Sequence, residues 1–366
     1  MAHSETAKPL YQKIFDRLSH DIATGHYGPG EKLPSETALV GRFGASRITV
    51  GHAVRELQLR GMVERIPGSG TYVSQPSRSS QEGLLFGLII PNLGETEIFE
   101  PICQGIAASP DAKGYGLLWS HAGADAPSKE EQALQLCRQS IARGVSGVFF
   151  APLELSPHSR EVNRRILKLF KDAGIAVVLL DRRPEETPIR ERCDLVGIDN
   201  HRAGFLAAGH LLRLGAKRVG FIAYEHQATT VKARIAGYRE ALAAGRKAEA
   251  RIFCLPPAPR MVLPAGAREC DAFVCANDRI AGHLMHALLA RHVRIPEDVR
   301  IVGIDDVNYA ALLPVPLTTV HQPCRDIGEA ALRMMVERLD HPRMPARDVL
   351  LDCELVVRES CGAGLV

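Results

Sequence analysis

The chain has 366 residues, a formal net charge of +3, 46% hydrophobic residues and 24% charged residues. At roughly 100–200 residues per domain, that length predicts two or three domains with ample core material. The mild charge excludes a nucleic-acid partner held by bulk charge alone, so any phosphate contact must come from where the charges sit.

No stretch approaches the ~18 apolar residues of a membrane span. The opening MAHSETAKPLYQKIF lacks the basic region and apolar run of a signal peptide. The nine cysteines are scattered and form no C-x-x-C pair, which predicts reduced thiols and a cytoplasmic protein without a structural zinc site.

Residues 9–75 read as helix, helix, helix, hairpin. Leu10, Ile14, Leu18 and Ile22 recur every fourth position and predict a first helix that ends near Gly25. GHYGPGEKLPSE is a loop by its glycines and prolines, and Ser35 caps a short second helix reaching Phe43. Ser46 caps the third, whose buried stripe is Val50, Ala53, Val54 and Leu57. VERI and TYVS then alternate around PGSG as a wing.

The opposite face of the third helix carries Arg47, Gly51, His52 and Arg55. In isolation such a face is most simply a solvated one. The short helix before it and Gly44 in the turn change that reading, because the second helix of such a pair enters the major groove N-terminus first. Arg47 stands at that end, and arginine donates two bonds to guanine O6 and N7. Ser46 and Thr49 are short donors for phosphate oxygens, with Arg42 and Arg55 flanking.

These residues resemble the GntR-type winged-helix domain along the whole segment. The resemblance is carried by GEKLPSE, SRITV and GSGTYV. It implies DNA contacts from Arg47, Thr49 and the wing glycines. The predicted DNA-facing set is therefore Ser35, Arg42, Ser46, Arg47, Thr49, His52, Gly68 and Gly70. Gly51 is a departure, since the family often has arginine there.

The polar stretch 76–83 is a predicted linker between a DNA-binding domain at 1–75 and a second domain at 84–358. Beyond it, strands are predicted at 84–90, 115–119, 147–151, 176–181, 218–223, 271–276 and 299–305. Helices alternate with them at 128–143, 159–173, 201–214, 232–244, 279–291 and 325–339. Continuous apolar strands between amphipathic helices predict parallel sheets buried on both faces, here in two lobes. CLPPAPRMVLP (254–264) carries four prolines where a helix is due, so any helix there must be short or lost.

Open α/β sheets place ligands at the C-terminal ends of strands. Asp181-Arg182, Asn277-Asp278 and Asp305-Asp306 stand at such ends, and Phe99 follows the first strand. Each alone is more simply a helix cap; their agreement points to a polyhydroxyl ligand, which needs carboxylates, amides and arginine together.

VGIDNHRAG, GHLLRLGAKRVGFI, RIAGY, CANDRIAG, IPEDVRIVGIDD and LTTVHQP resemble the sensor domain of the LacI/GalR repressors, which is similar to periplasmic sugar-binding proteins. The implied fold is an N-terminal winged helix-turn-helix plus an α/β, two-lobe, periplasmic-binding-protein-like (type I) effector domain. Three crossings between lobes are expected near 181–183, 321–323 and 341–348. The implied ligand contacts are Ile98, Phe99, Asp181, Arg182, Arg234, Asn277, Asp305 and Gln322.

A GntR-type head on a LacI-type sensor resembles the arabinose-repressor family. It implies a homodimer on a palindromic double-stranded operator, controlled by a small effector, first of all a monosaccharide. A purine or a sugar acid stays open as effector. An α/β enzyme fused to a DNA-binding head is the alternative class, and no G-x-G-x-x-G after a strand, P-loop or G-x-S-x-G supports it. No catalytic residue, cofactor or metal is predicted. His283 and His286, three apart on one helix, lack a third ligand and read as a solvated helix face. Trp119 is left as core or cleft wall.

Overall fold

The computed structural model describes residues 9–365 except 24–25, 29, 60–61, 67–68, 74–82, 92–96, 113, 120–127, 185–192, 246–249 and 258–260. The predicted linker lies outside the described residues apart from Gly83. The chain divides into two compact units, Met1–Ser80 and Gln81–Val366.

The first unit holds α1 (Leu10–Ala23), α2 (Glu36–Phe43), α3 (Arg47–Leu59) and an antiparallel pair, β1 (Val63–Ile66) and β2 (Gly70–Val73). Ser35 caps α2, its hydroxyl accepting from the Ala38 N–H at 3.2 Å. Gly44 ends α2 in the left-handed region (φ 58°), the conformation glycine adopts without a Cβ penalty. Ser46 then starts α3, accepting from the Thr49 N–H at 3.2 Å. Ile14, Leu18, Leu39, Val50, Ala53, Leu57 and Val63 form the buried core under the three helices.

The second unit opens with β3 (Leu84–Ile89), α4 (Phe99–Ala108), β4 (Tyr115–Trp119), α5 (Lys129–Ala142), β5 (Gly147–Phe150), α6 (Ser159–Asp172), β6 (Ala176–Leu180) and β7 (Asp194–Ile198). It continues with α7 (Asn200–Arg213), β8 (Val219–Tyr224), α8 (Thr229–Ala244), β9 (Arg251–Leu255), β10 (Ala272–Cys275), α9 (Asp278–Leu289), β11 (Arg300–Asp305) and β12 (Thr318–His321). The last elements are α10 (Cys324–Asp340), β13 (Asp348–Leu351) and β14 (Glu354–Val356).

Two six-stranded sheets result, in the orders β13-β7-β6-β5-β3-β4 and β14-β12-β11-β10-β8-β9. Every pairing in the first is parallel; in the second only β12–β14 is antiparallel. The central strands β5 and β10 are buried along their whole length.

The chain passes between the sheets after β7, after β12 and between β13 and β14. The second pass falls at 321–323, as the sequence suggested, but the other two need correction. β7 pairs beside β6 and β13 beside β7, so the chain is still in the first sheet at 181–183 and at 348. It leaves at about 198–200 and 351–354. After β9 the proline-rich run carries no α-helix among its described residues, and the next regular piece is a single 3-10 turn at Ala267–Glu269.

Each lobe contains one very close helix crossing. In the second, a Cβ placed on Gly204 of α7 would lie 1.9 Å from the Arg234 carbonyl oxygen, and one on Gly237 of α8 would lie 1.9 Å from that of His201. Gly105 of α4 and Gly328 of α10 make the equivalent approach in the first. These crossings place the helix that carries Arg234 and the helix that begins at Phe99.

Candidate nucleic-acid interface and ligand cleft

The DNA-facing set divides by what each side chain already touches. Arg47 is free to reach outward: its side chain is 78% exposed, and its Nε stands 3.8 Å from Glu36 Oε2. Glu36 also faces Arg65 at 3.3 Å. Ser46 and Thr49 hydroxyls bond each other at 2.8 Å, so the capping pair sits at the N-terminal end of α3 beside Arg47. Arg42, by contrast, is engaged with α1 and the loop after it. It donates to the buried Asp21 carboxylate (3.1 Å) and to the Tyr27 hydroxyl (2.9 Å), with its guanidinium over the Phe43 ring.

The His52 ring lies 4.3 Å from that of Tyr11 on α1. Gly70 (φ 142°) starts β2 where a Cβ would meet the Lys32 side chain at 2.6 Å. Gly68 lies outside the described residues. A Cβ on Gly51 would meet nothing within 4 Å. Sequence reasoning passed over Ile48, which is 86% exposed. The signal was present: it falls outside the Val50–Ala53–Val54–Leu57 stripe.

In the second unit the eight predicted ligand residues gather around a buried polar row and two cavities. Phe99, Arg182 and Asn277 line a cavity of about 70 Å³, together with Glu154, Tyr224 and Gln227. Ile98, Asp305 and Gln322 line a larger one of about 540 Å³. Asp181 and Arg234 belong to the row itself and are buried. Arg182 donates to Asp181 Oδ2 at 2.8 Å, pairs with Glu154 and lies 5.5 Å over the Phe99 ring. Arg234 donates to Asn200 Oδ1 (2.8 Å) and the Ala276 carbonyl (2.5 Å), and stands 3.4 Å from Asp305. Gln322 donates to Asp305 Oδ1 at 2.6 Å.

The electrostatics follow from burial. Desolvation raises the Asp305 pKa, Arg234 opposes the shift, and Asp278 and Asp181 add to it. Asp278 is pushed up to about 6, first by burial, although Thr319 and the Val307 N–H donate to it. Burial alone would lower the Arg182 pKa; Glu154 and Asp181 outweigh it and hold the group above its usual range.

Among the described residues, three buried side-chain oxygens have no hydrogen-bond partner: Asp181 Oδ1, Gln227 Oε1 and Gln322 Oε1. Carboxylate and amide oxygens only accept, so this row fits a ligand that brings hydrogen-bond donors. The backbone is strained at the same places, with positive φ at Asp181 (66°), Asp305 (129°) and Asp306 (56°). Asn277 uses its Oδ1 to cap α9 through the Ile280 N–H (2.9 Å), the bland role considered for it, while it also lines the smaller cavity.

His283 is not simply a solvated residue: its Nδ1 bonds the Tyr224 hydroxyl at 2.6 Å. No cluster of three metal-ligating side chains occurs among the described residues. Trp119 is neither core nor lining of these cavities, but ends edge strand β4, 58% exposed. No described helix is long and apolar enough to cross a membrane.

A groove-sized helix pair with a wing, joined to a two-sheet ligand-binding fold, defines a DNA-binding regulator. Comparison with known proteins agrees. Residues 10–73 match the family model described as bacterial regulatory proteins, gntR family, and residues 208–361 match the periplasmic binding protein-like domain. The chain carries a gntR-family head and a periplasmic-binding-protein-like domain, and is a transcriptional regulator rather than an enzyme.

It is 27% identical over 97% of its length, and 98% of the relative's, to the arabinose metabolism transcriptional repressor of Geobacillus stearothermophilus. Its fold is similar to the transcription regulator CcpA of Lactococcus lactis (TM-score 0.63, 21% identity, 76% of this chain and 99% of that one). It is also similar to a LacI family regulator of Enterococcus faecium with bound ribose (TM-score 0.60, 22% identity, 75% and 98%).

Proposed function

We propose that this regulator is a repressor whose affinity for a palindromic operator is set by a monosaccharide held in the second unit. A homodimer presents two α3 helices to two half-sites, mirroring the operator's two-fold symmetry. The head reads DNA through Arg47, supported by Ser46 and Thr49 on the phosphates. The effector lies along the buried row, where Arg182 and Arg234 donate to ring and hydroxyl oxygens.

The observation that carries the reading is the set of partnerless buried acceptors at Asp181, Gln227 and Gln322 beside two fixed guanidiniums. Hydroxyls both donate and accept, so a sugar satisfies both halves of this row. A purine is supported less well, because the Phe99 face is already occupied by the Arg182 guanidinium. The ribose bound by the similar Enterococcus regulator and the name of the Geobacillus repressor favour a pentose.

A thermal-shift screen of the full chain against pentoses, hexoses, sugar acids and purines tests this. A pentose is expected to raise the melting temperature of the wild type and not that of Arg234→Ala. A shift with purines alone, or with no sugar, overturns the effector class.

A further inference from the structure

Among the described residues Ile48 is the most exposed of the large apolar side chains, at 86% against 49% for Leu10 and 45% for Ile66 in the same unit. It stands second in α3, between Arg47 and Thr49, on the end that enters the groove. A β-branched residue adds nothing to helix propensity there, and its exposure leaves it uncovered by the described residues of the unit. One turn further on, Gly51 leaves open space where a side chain would stand, which lets the floor of the groove approach the helix beside Ile48. The surface beside it is formed by Glu36, His52, Arg55, Gln58 and Arg65 over the buried Val54. An isoleucine in that setting loses its exposed area only against an apolar partner.

The major groove offers one such feature. Phosphates are charged, and the base edges are rows of donors and acceptors except for the C5-methyl of thymine. We propose that Ile48 is a specificity-determining residue that packs on a thymine methyl in each half-site, next to the base pair contacted by Arg47. The proposal rests on α3 being the groove helix. Arg47 then supplies polar readout and Ile48 supplies apolar readout from adjacent positions.

The test uses the full chain and duplexes selected from a random-sequence pool. Each thymine of the selected half-site is replaced in turn by deoxyuridine, which removes only the methyl group. Loss of one buried methyl corresponds to a fall in affinity of roughly three- to five-fold per half-site. The wild type is expected to show that loss at one position. Ile48→Ala is expected to bind the thymine duplex about as weakly as the wild type binds the uracil one, and to be indifferent to the exchange.

Full exposure makes Ile48→Ala safe for folding, and an unchanged circular-dichroism melt checks it. A wild type indifferent to every replacement overturns the proposal, as does an Ile48→Ala variant that keeps the wild-type discrimination. A selected operator whose recognition needs Arg47 but ignores every methyl removes this proposal alone. Failure to select any preferred sequence removes the groove-helix reading as well.

Discussion

Gly204→Ala puts the helix crossing behind Arg234 under a direct test. The new Cβ would stand 1.9 Å from the Arg234 carbonyl oxygen, 2.7 Å from its carbonyl carbon and 2.8 Å from its Cα, whereas ordinary contact begins at 3.4 Å. All three are backbone atoms, so no rotamer change relieves the clash and α8 must move by about 1.5 Å. Bonding geometry at a site tolerates about 0.5 Å, so the Arg234 bonds to Asn200 and Ala276 cannot all survive.

Overpacking costs about 1–3 kcal/mol, and exchanging glycine for alanine in a helix returns at most about 1 kcal/mol. A clash with three backbone atoms belongs at the upper end of the overpacking range, so the net expectation is a loss of about 2 kcal/mol from the second unit. Trp119 is the only tryptophan of the chain and lies in that unit, so urea denaturation followed by its fluorescence reports there. Gly51→Ala is the control, since nothing opposes its Cβ and it lies in the first unit; it should leave the Trp119 midpoint where it is in the wild type. A Gly204→Ala midpoint equal to or above wild type would refute the reasoning.

Arg47→Ala should lose about 1–3 kcal/mol of discrimination between selected and scrambled duplexes while the urea curve of the second unit stays put. For pH, Asp278 and Asp305 are both raised by burial. Between the unfolded value near 4 and the folded value about 6 of Asp278, the unfolded chain ionises first, which favours unfolding. Their contribution is therefore present below pH 4 and lost as pH rises through the folded values, and Asp278→Asn should flatten that limb of a urea-midpoint series from pH 4 to 8.

Local chemistry was legible where it decides structure locally. Ser46, Gly44 and the α3 stripe define the head, because a cap, a left-handed residue and a 3.6-residue period act within one turn. Strands β7, β9, β12, β13 and β14 were not anticipated: each has three to five residues and exists because a neighbouring strand accepts it. That is why two of the three passes between lobes were misplaced.

Helix α4 was missed for a similar reason. FEPICQGIAA carries Pro101 in its first turn, where proline is tolerated, and Gly105, whose missing side chain is explained only by the Arg325 backbone across the crossing. Arg42 shows what charge read without tertiary context leaves out. Its partner Asp21 is twenty-one residues away, and the resulting bolt between α1 and α2 is invisible to spacing.

The same crossings bear on how a bound sugar would act. Gln322 sits on the second pass between lobes and donates to Asp305 of the second sheet. Two residues later α10 begins, and it packs on α4, whose first residue is Phe99 of the smaller cavity. Arg338 near the far end of α10 clamps Asp194 at the start of β7 with bonds of 2.8 and 3.0 Å. A donor placed on Gln322 Oε1 thus acts on a pass that bonds Asp305 of the second lobe and leads directly into α10, which the α4 crossing and the Arg338–Asp194 pair fix to the first. On the proposed function, such rigid connections need deliver only about 1–3 kcal/mol to change operator affinity 5- to 150-fold. Loosening the crossing with Gly328→Ala, whose Cβ would meet the Ile102 carbonyl oxygen at 2.1 Å, should therefore weaken the operator response to sugar more than it weakens DNA binding without sugar; equal losses in both would show that the crossing supports the fold and carries no signal.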